Sequence, residues 1–293
     1  MLSYEKIYFG STCNNRCVVC DWPADASSPS LNELVAQVDA LADGENIELV
    51  GGEPTLHDGL LSLISYARRR GGRRIKLRTN GRSLADGRFL ETLVQEGCRV
   101  FEVSIFGSRP DVHEAVTRAR GGFNETLAGF QNLQALSSAE APGRSVYVAG
   151  RIGVTDRNVD DLLPTVSLLM SFGVDILKIV RMGSDLGITP GAQAVATAMK
   201  VATLNRVWSM CKGFPPCTMK GSETHLMELL RPTPASGDKP KSCSQCLFET
   251  ICAGPPEGYP GKRGTREFRA VKGEFPHMRG IEYLTQLVAS HAE

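Results

Sequence analysis

Three cysteines stand close together near the start of the chain, in the order Cys13-Asn14-Asn15-Arg16-Cys17-Val18-Val19-Cys20. Thiolates are soft metal ligands, and bridges of three and two residues let three of them converge on one centre. A cubane [4Fe-4S] cluster takes one ligand per iron, so three cysteines leave one iron open to a small molecule. The same spacing also suits a zinc ion completed by a distant His or Cys. Val18, Val19 and Trp22 would shield a cluster and shift its potential.

Five further cysteines lie at Cys211, Cys217, Cys243, Cys246 and Cys252, and Cys98 stands alone. Cys243, Cys246 and Cys252 have the spacing of a metal site, which a zinc knuckle satisfies as well as a cluster does. One cluster takes at most four of the five. A spare thiol such as Cys211 is then an alternative ligand, an inert group or a hydrogen-atom donor to a substrate radical. Cys98 precedes an apolar strand and reads as core.

Other candidates lie where strands should end. Gly51, Gly52, Glu53 and Pro54 follow an apolar run, and paired glycines let backbone approach a ligand closely. Alone, that motif also describes any tight strand-to-helix turn. Asn80 and Ser104 can hydrogen-bond a ribose or a carboxylate. Arg118 suits a carboxylate partner, and Arg151 is a second candidate. Each of these, taken singly, also reads as an ordinary polar residue, as do His57, His113 and Tyr259. The basic run at 68–74 sits at a helix end, where a solvated face is the plain expectation.

These residues need a frame. Strand-like runs at 6–9, 47–50, 74–77, 100–105, 145–154 and 176–180 alternate with helix-like segments. Ser30 and Glu33 form a capping box opening a helix that Gly44 should end. Further helices are expected over 60–70, 84–96 (closed by Gly97), from about 124, 162–171 and 191–210. Pro164 is tolerable only in a first turn. Six βα repeats imply an α/β fold, an open (β/α)6 TIM-like barrel, with ligands at the carboxyl ends of its strands. Residues 1–210 should form that barrel. Residues 211–293 should form a small cysteine-rich, cluster-binding domain that bound metal organises, with a short terminal helix over 281–291.

Bulk properties exclude some functions. A net charge of +1 argues against a nucleic-acid partner. No apolar run approaches the ~20 residues of a membrane span, and no secretory signal is visible, so a cytoplasmic location is expected. In that compartment nine cysteines point to metal or catalysis before disulfides.

The cysteine triad after a first strand, followed by Gly-Gly-Glu-Pro after a second, resembles the radical S-adenosylmethionine (SAM) superfamily. Val19 departs from the aromatic residue often found before the third cysteine. The element order over 1–210 fits the same family. Residues 107–136, with His113, Arg118, Gly122 and Phe123, resemble its subgroup with a C-terminal auxiliary-cluster domain. Residues 241–268, with Cys252, Gly254, Tyr259 and Gly264, resemble the SPASM/twitch domain.

The resemblance implies a [4Fe-4S] cluster on Cys13, Cys17 and Cys20, with SAM chelating its open iron. It implies one auxiliary [4Fe-4S] cluster on Cys217, Cys243, Cys246 and Cys252. Reductive cleavage of SAM would then give a 5′-deoxyadenosyl radical that takes hydrogen from a peptide or small-metabolite C–H bond. The auxiliary cluster would assist oxidation, cross-linking or epimerisation, and a flavodoxin or ferredoxin would supply electrons. The alternatives are a zinc-stabilised binding or scaffold protein and an electron-transfer iron-sulfur protein that leaves SAM intact. No stretch of the about 80 to 90 residues of a leader-peptide recognition domain is spare. A peptide substrate would therefore bind directly or through a separate protein.

Overall fold

The computed structural model describes residues 4–20, 22, 25–71, 74–139, 146–183, 185–230, 239–256 and 258–272. Seven strands lie hydrogen-bonded side by side in chain order: β1 (Tyr4–Tyr8), β2 (Asn46–Val50), β3 (Ile75–Thr79), β4 (Cys98–Ile105), β5 (Tyr147–Val154), β6 (Ile176–Arg181) and β7 (Trp208–Lys212). The pairs from β1 to β5 are parallel. The fold is an α/β partial barrel of TIM type. The chain divides into two compact units, Leu2–Ile152 with Pro164–Leu177, and Gly153–Leu163 with Lys178–Glu293.

In the first unit, helices α1 (Leu31–Asp39), α2 (Leu60–Arg69) and α3 (Gly87–Glu96) follow β1, β2 and β3. Each buries one apolar stripe, such as Leu60, Leu63, Ile64 and Ala67 of α2. The expected capping box is present: Ser30 Oγ accepts from Glu33 N while Glu33 accepts from Ser30 N at 2.7 Å. The helix stops at Asp39, short of the expected Gly44. Asp86 caps α3 by accepting from Arg88 N and Phe89 N, and Gly97 (φ 117°) closes it as expected. The short helix α4 (Pro110–Thr117) precedes α5 (Gly122–Ala139).

Alternation along the strands sorts side chains onto two faces. Ile47, Leu49, Ile75, Leu77, Phe101 and Val103 are buried on one face. At Gly150 on that face, an added Cβ would sit 2.7 Å from Leu169 of α6 (Leu162–Ser171). Pro164 is the third residue of α6, within its first turn. The other face is ionic. Lys76 Nζ lies 2.8 Å from Glu48 and 3.4 Å from Glu102. Arg78 reaches Glu48 at 2.6 Å and Glu102 at 3.1 Å, and Arg151 approaches Glu102 at 3.8 Å.

In the second unit, α7 (Ile188–Leu204) follows β6. The expected helix over 191–210 ends early, at Asn205, and Arg206 takes a left-handed φ of 61°. Residues 208–212 form the seventh strand instead, which corrects the six-strand expectation. Short turns follow at Pro216–Thr218, Glu223–His225 and Lys241–Gln245, with helices α8 (Met227–Leu230) and α9 (Tyr259–Arg263). The expected helix over 281–291 lies outside the described residues. No described helix is long and apolar enough to cross a membrane.

Candidate active site at the strand ends

The loop carrying Cys13, Cys17 and Cys20 is tied down along its backbone. Phe9 N donates to Val50 O at 2.8 Å, and Ser11 N donates to Ala26 O at 3.1 Å. Glu53 N donates to Thr12 O at 2.8 Å. Beyond the first cysteine, Arg16 N and Val18 N donate to Thr117 O and Val116 O, both at 2.9 Å. Carbonyls of a last helical turn have no partner within the helix, so the end of α4 supplies acceptors that fix Cys17 between two anchors. Arg118, exposed and left-handed (φ 52°), ends that helix.

The Gly-Gly turn allows this contact. Gly51 and Gly52 take φ values of 99° and 49°. A Cβ at Gly52 would lie 2.3 Å from Thr12 O, and one at Gly51 would lie 2.9 Å from Gly10 O. Only bare backbone lets the two loops approach so closely. Glu53 is buried, and protein donors surround its carboxylate. Thr55 N, Thr55 Oγ1 and Thr79 Oγ1 donate to Oε1 at 3.2, 2.7 and 2.7 Å, and Asn80 N donates to Oε2 at 2.6 Å. Burial pushes its pKa up, and these hydrogen bonds oppose the rise. Glu53 thus joins the ends of β2 and β3 to the cysteine loop. Pro54 opens the short turn Pro54–Leu56.

From the end of β3, Asn80 Nδ2 donates to Asn14 Oδ1 at 2.7 Å and lies 3.9 Å from Cys13 Sγ. Asn15 N donates to the same sulfur at 3.3 Å. Ser104 and Arg151 are register partners on β4 and β5. His57 is held by Pro29 O and Gly59 N. His113 is enclosed between Phe106 and Phe123.

Cys13, Cys17 and Cys20 are free thiols. Burial raises the pKa of Cys13, and it raises that of Cys17 to about 12, helped by the charges of Cys13 and Cys20 and opposed by Arg151. The three sulfurs therefore lie within one another's field. A bound cation would relieve that repulsion and hold the thiolate forms at neutral pH. Among the described residues no three His, Cys, Asp or Glu side chains are placed to hold a single metal ion. The thiol set, with N–H donors directed at a sulfur, fits a cluster bearing one cysteine on each of three irons.

The second cysteine group lies wholly in the second unit. Cys217, Cys243, Cys246 and Cys252 line one cleft, walled by Phe248 and Phe268. Gly254 N donates to Cys252 Sγ at 3.3 Å and Val271 N to Cys246 Sγ at 3.4 Å. Burial raises the pKa of Cys217 to about 11, with Cys252, Cys246 and Cys243 adding to the rise. Cys211 is elsewhere, fully buried on β7, where burial and then Glu228 raise its pKa. Tyr259 is buried, and its hydroxyl bridges Ile188 N and Glu267. Cys98 opens β4 in the core.

Residues 7–168, over half of the chain, match the family model of the Radical SAM superfamily. The chain belongs to that superfamily. Among curated proteins, it is 24% identical over 191 residues to GTP 3′,8-cyclase of Alkaliphilus oremlandii (strain OhILAs), covering 62% of this chain and 57% of the relative. It is 25% identical over 222 residues to Molybdenum cofactor biosynthesis protein 1 of Bos taurus, 73% of this chain and 34% of the relative. AdoMet-dependent heme synthase of Methanosarcina barkeri (strain Fusaro / DSM 804) is 28% identical over 167 residues, 55% of this chain and 45% of the relative. The chain thus spans between about a third and three-fifths of the length of these relatives. Among solved structures, Streptococcus suis SuiB aligns with a TM-score of 0.55 at 11% identity, covering 89% of this chain and 68% of that one. The FeFe-hydrogenase maturase HydG from Carboxydothermus hydrogenoformans aligns at 0.54 and 15% identity, covering 76% and 56%. At such identities the two structures speak for the shared fold.

Set in the radical SAM barrel, the sequence candidates fall into two groups. The first-loop cysteines, Gly51, Gly52, Glu53, Pro54 and Asn80 form one connected set through the bonds above. Ser104 lies on β4, and Arg118 caps α4 beside the loop's anchor at Thr117. Sequence reasoning missed Arg82, whose Nη1 donates to Asn14 O at 2.5 Å and Asn15 Oδ1 at 3.0 Å. It also missed the ionic set of Glu48, Lys76, Arg78 and Glu102. Charged residues at alternate positions within apolar strands were the available signal for that set.

Proposed function

We propose that this radical SAM enzyme acts on a C–H bond of a polar substrate, a small metabolite or a peptide, and carries one auxiliary [4Fe-4S] cluster. Cys13, Cys17 and Cys20 would hold the first cluster, which would supply the electron for reductive cleavage of SAM to methionine and a hydrogen-abstracting 5′-deoxyadenosyl radical. The protein's part is positional. The Gly-Gly turn brings bare backbone beside the cluster loop, and Asn80 directs an amide donor towards Cys13. Glu53 is occupied in holding these pieces together, so its contribution to SAM is the placement of the turn.

Four thiols in one cleft, two of them accepting backbone N–H groups, are the observation that carries the auxiliary cluster. Such a set suits a cluster of the twitch type, with Cys211 apart from it. The ionic set of Glu48, Lys76, Arg78, Glu102 and Arg151 favours a charged or strongly polar substrate, because an ordinary barrel interior is packed with apolar side chains. The curated relatives named as a GTP 3′,8-cyclase and a heme synthase favour a small metabolite over a peptide. The net outcome is oxidation, cross-linking or epimerisation, with a flavodoxin or ferredoxin as electron source.

Anaerobic reconstitution followed by iron and sulfide analysis tests the reading. Two cubanes give about eight irons and eight sulfides per chain. The doubly substituted Cys243→Ser, Cys246→Ser protein should fall to about four of each. Wild-type protein that binds only four irons, or that takes zinc in the C-terminal cleft, contradicts the auxiliary cluster.

A further inference from the structure

Arg82 is the first residue of the turn Arg82–Ala85 that follows β3. Its Nη1 donates to two acceptors on the bridge between Cys13 and Cys17, the carbonyl of Asn14 at 2.5 Å and the side-chain oxygen of Asn15 at 3.0 Å. Its Nε donates to Glu125 of α5 at 2.5 Å, and its own backbone N–H donates to Asn80 Oδ1 at 3.0 Å. The guanidinium is largely enclosed, 15% exposed, whereas Glu125 is 48% exposed. One side chain therefore joins three pieces of the first unit that no strand or helix hydrogen bond connects: the turn after β3, helix α5 and the cysteine loop.

The connection bears on the thiols. The other half of the loop is fastened separately, by Arg16 N and Val18 N to the end of α4. Arg82 holds the half next to Cys13, where Asn80 Nδ2 and Asn15 N lie beside the sulfur. A planar fork can serve a carbonyl, an amide oxygen and a carboxylate at fixed angles, whereas an ammonium cannot span the three. The turn is also seated firmly. Thr126 Oγ1 of α5 donates to Asn80 O at 2.9 Å, and a Cβ at Gly129 would lie 2.4 Å from Gly81 O.

We propose that Arg82, locked by Glu125, is a positioning residue that holds the Cys13–Cys17 bridge in the geometry that grips the first cluster. It touches no reacting atom and acts through Asn14 and Asn15. The proposal rests on the reading of the triad as the SAM cluster site.

The test uses the full-length reconstituted protein with Arg82→Met, Arg82→Lys and Glu125→Gln. The readouts are the rate of iron loss to a chelator, the change in the reduced cluster's paramagnetic spectrum on adding SAM, and the melting temperature. Loss of a group that orients metal ligands costs about 10- to 100-fold in metal affinity. Arg82→Met is expected to release iron at least about tenfold faster and to lose the SAM-induced spectral change. Arg82→Lys should also fall short of wild type in both readouts. Glu125→Gln should release iron a few-fold faster with its melting temperature little changed, and it carries the test if Arg82→Met does not fold. Wild-type iron release and spectral response in the variants, even with a lowered melting temperature, would show a merely structural role and overturn the proposal. A wild-type protein with no SAM-responsive signal would instead overturn the triad reading, and this proposal with it.

Discussion

At position 113 an imidazole sits where a core ordinarily holds a hydrocarbon. His113 is buried between Phe106 and Phe123, with ring centroids 6.1 and 5.7 Å away. Phe106 N donates to its Nδ1 at 3.3 Å, so the neutral ring carries its proton on Nε2. Burial lowers its pKa to about 4, with the Arg82 charge adding to the effect. The unfolded chain then takes up a proton near pH 6.5 that the folded chain refuses until about pH 4. His113 therefore withdraws stability as pH falls through that window, and its titration has no effect above it. Metal-free wild-type protein should lose about 2 kcal/mol more than His113→Leu between pH 7 and pH 5, by urea unfolding. Parallel pH profiles for the two proteins would refute this. The sequence showed His113 as an ordinary polar residue beyond a strand end. It could not show the two rings, because Phe106 and Phe123 meet it only through the packing of the β4 end and α5.

At the scale of elements, close approach of the two loops sets the site. Gly52→Ala must place a methyl group 2.3 Å from Thr12 O at a φ of 49°. Backbone on both sides must yield, and a loss of about 2 kcal/mol in unfolding free energy is expected. Iron uptake by the first loop should fall with it; an alanine variant with unchanged stability and uptake would remove the close contact from the account. Across the strands, Glu102 faces Lys76, Arg78 and Arg151. Glu102→Ala leaves buried cations without that carboxylate and should cost about 3–5 kcal/mol in denaturant unfolding. A loss under about 1 kcal/mol would mean that the ionic face is open to water.

Legibility in sequence followed local strength. β2 and β6 are mostly apolar, β3 and β4 alternate apolar with polar residues over much of their length, and the sequence placed each within a few residues. The capping box of α1 and the Gly97 stop of α3 were visible because their chemistry is local. α4 was missed because eight residues beginning at Pro110 give little more than two turns of pattern. β7 was missed because α7 ends at Asn205 and Arg206, without the glycine that usually marks a left-handed stop.

For the molecule as a whole, the cysteines were the legible part and their wiring was not. Spacing alone brought Cys13, Cys17 and Cys20 together, and the Gly-Gly-Glu-Pro turn could be placed beside them by element order. The polar bonds that hold the two together run from Glu53 to Thr79 and Asn80, and from Arg82 to Asn14 and Asn15. They span 26 to 68 positions in sequence, beyond any local pattern.

The central claim is that three thiols at the strand ends hold iron with a vacancy for SAM. Its most direct measurement is 5′-deoxyadenosine formation by the anaerobically reconstituted protein with a strong reductant and SAM, beside Cys17→Ser. Wild type should convert SAM to 5′-deoxyadenosine and methionine, and the serine variant should form neither. Iron-replete wild type that leaves SAM intact, or a serine variant that cleaves it equally well, would contradict the account.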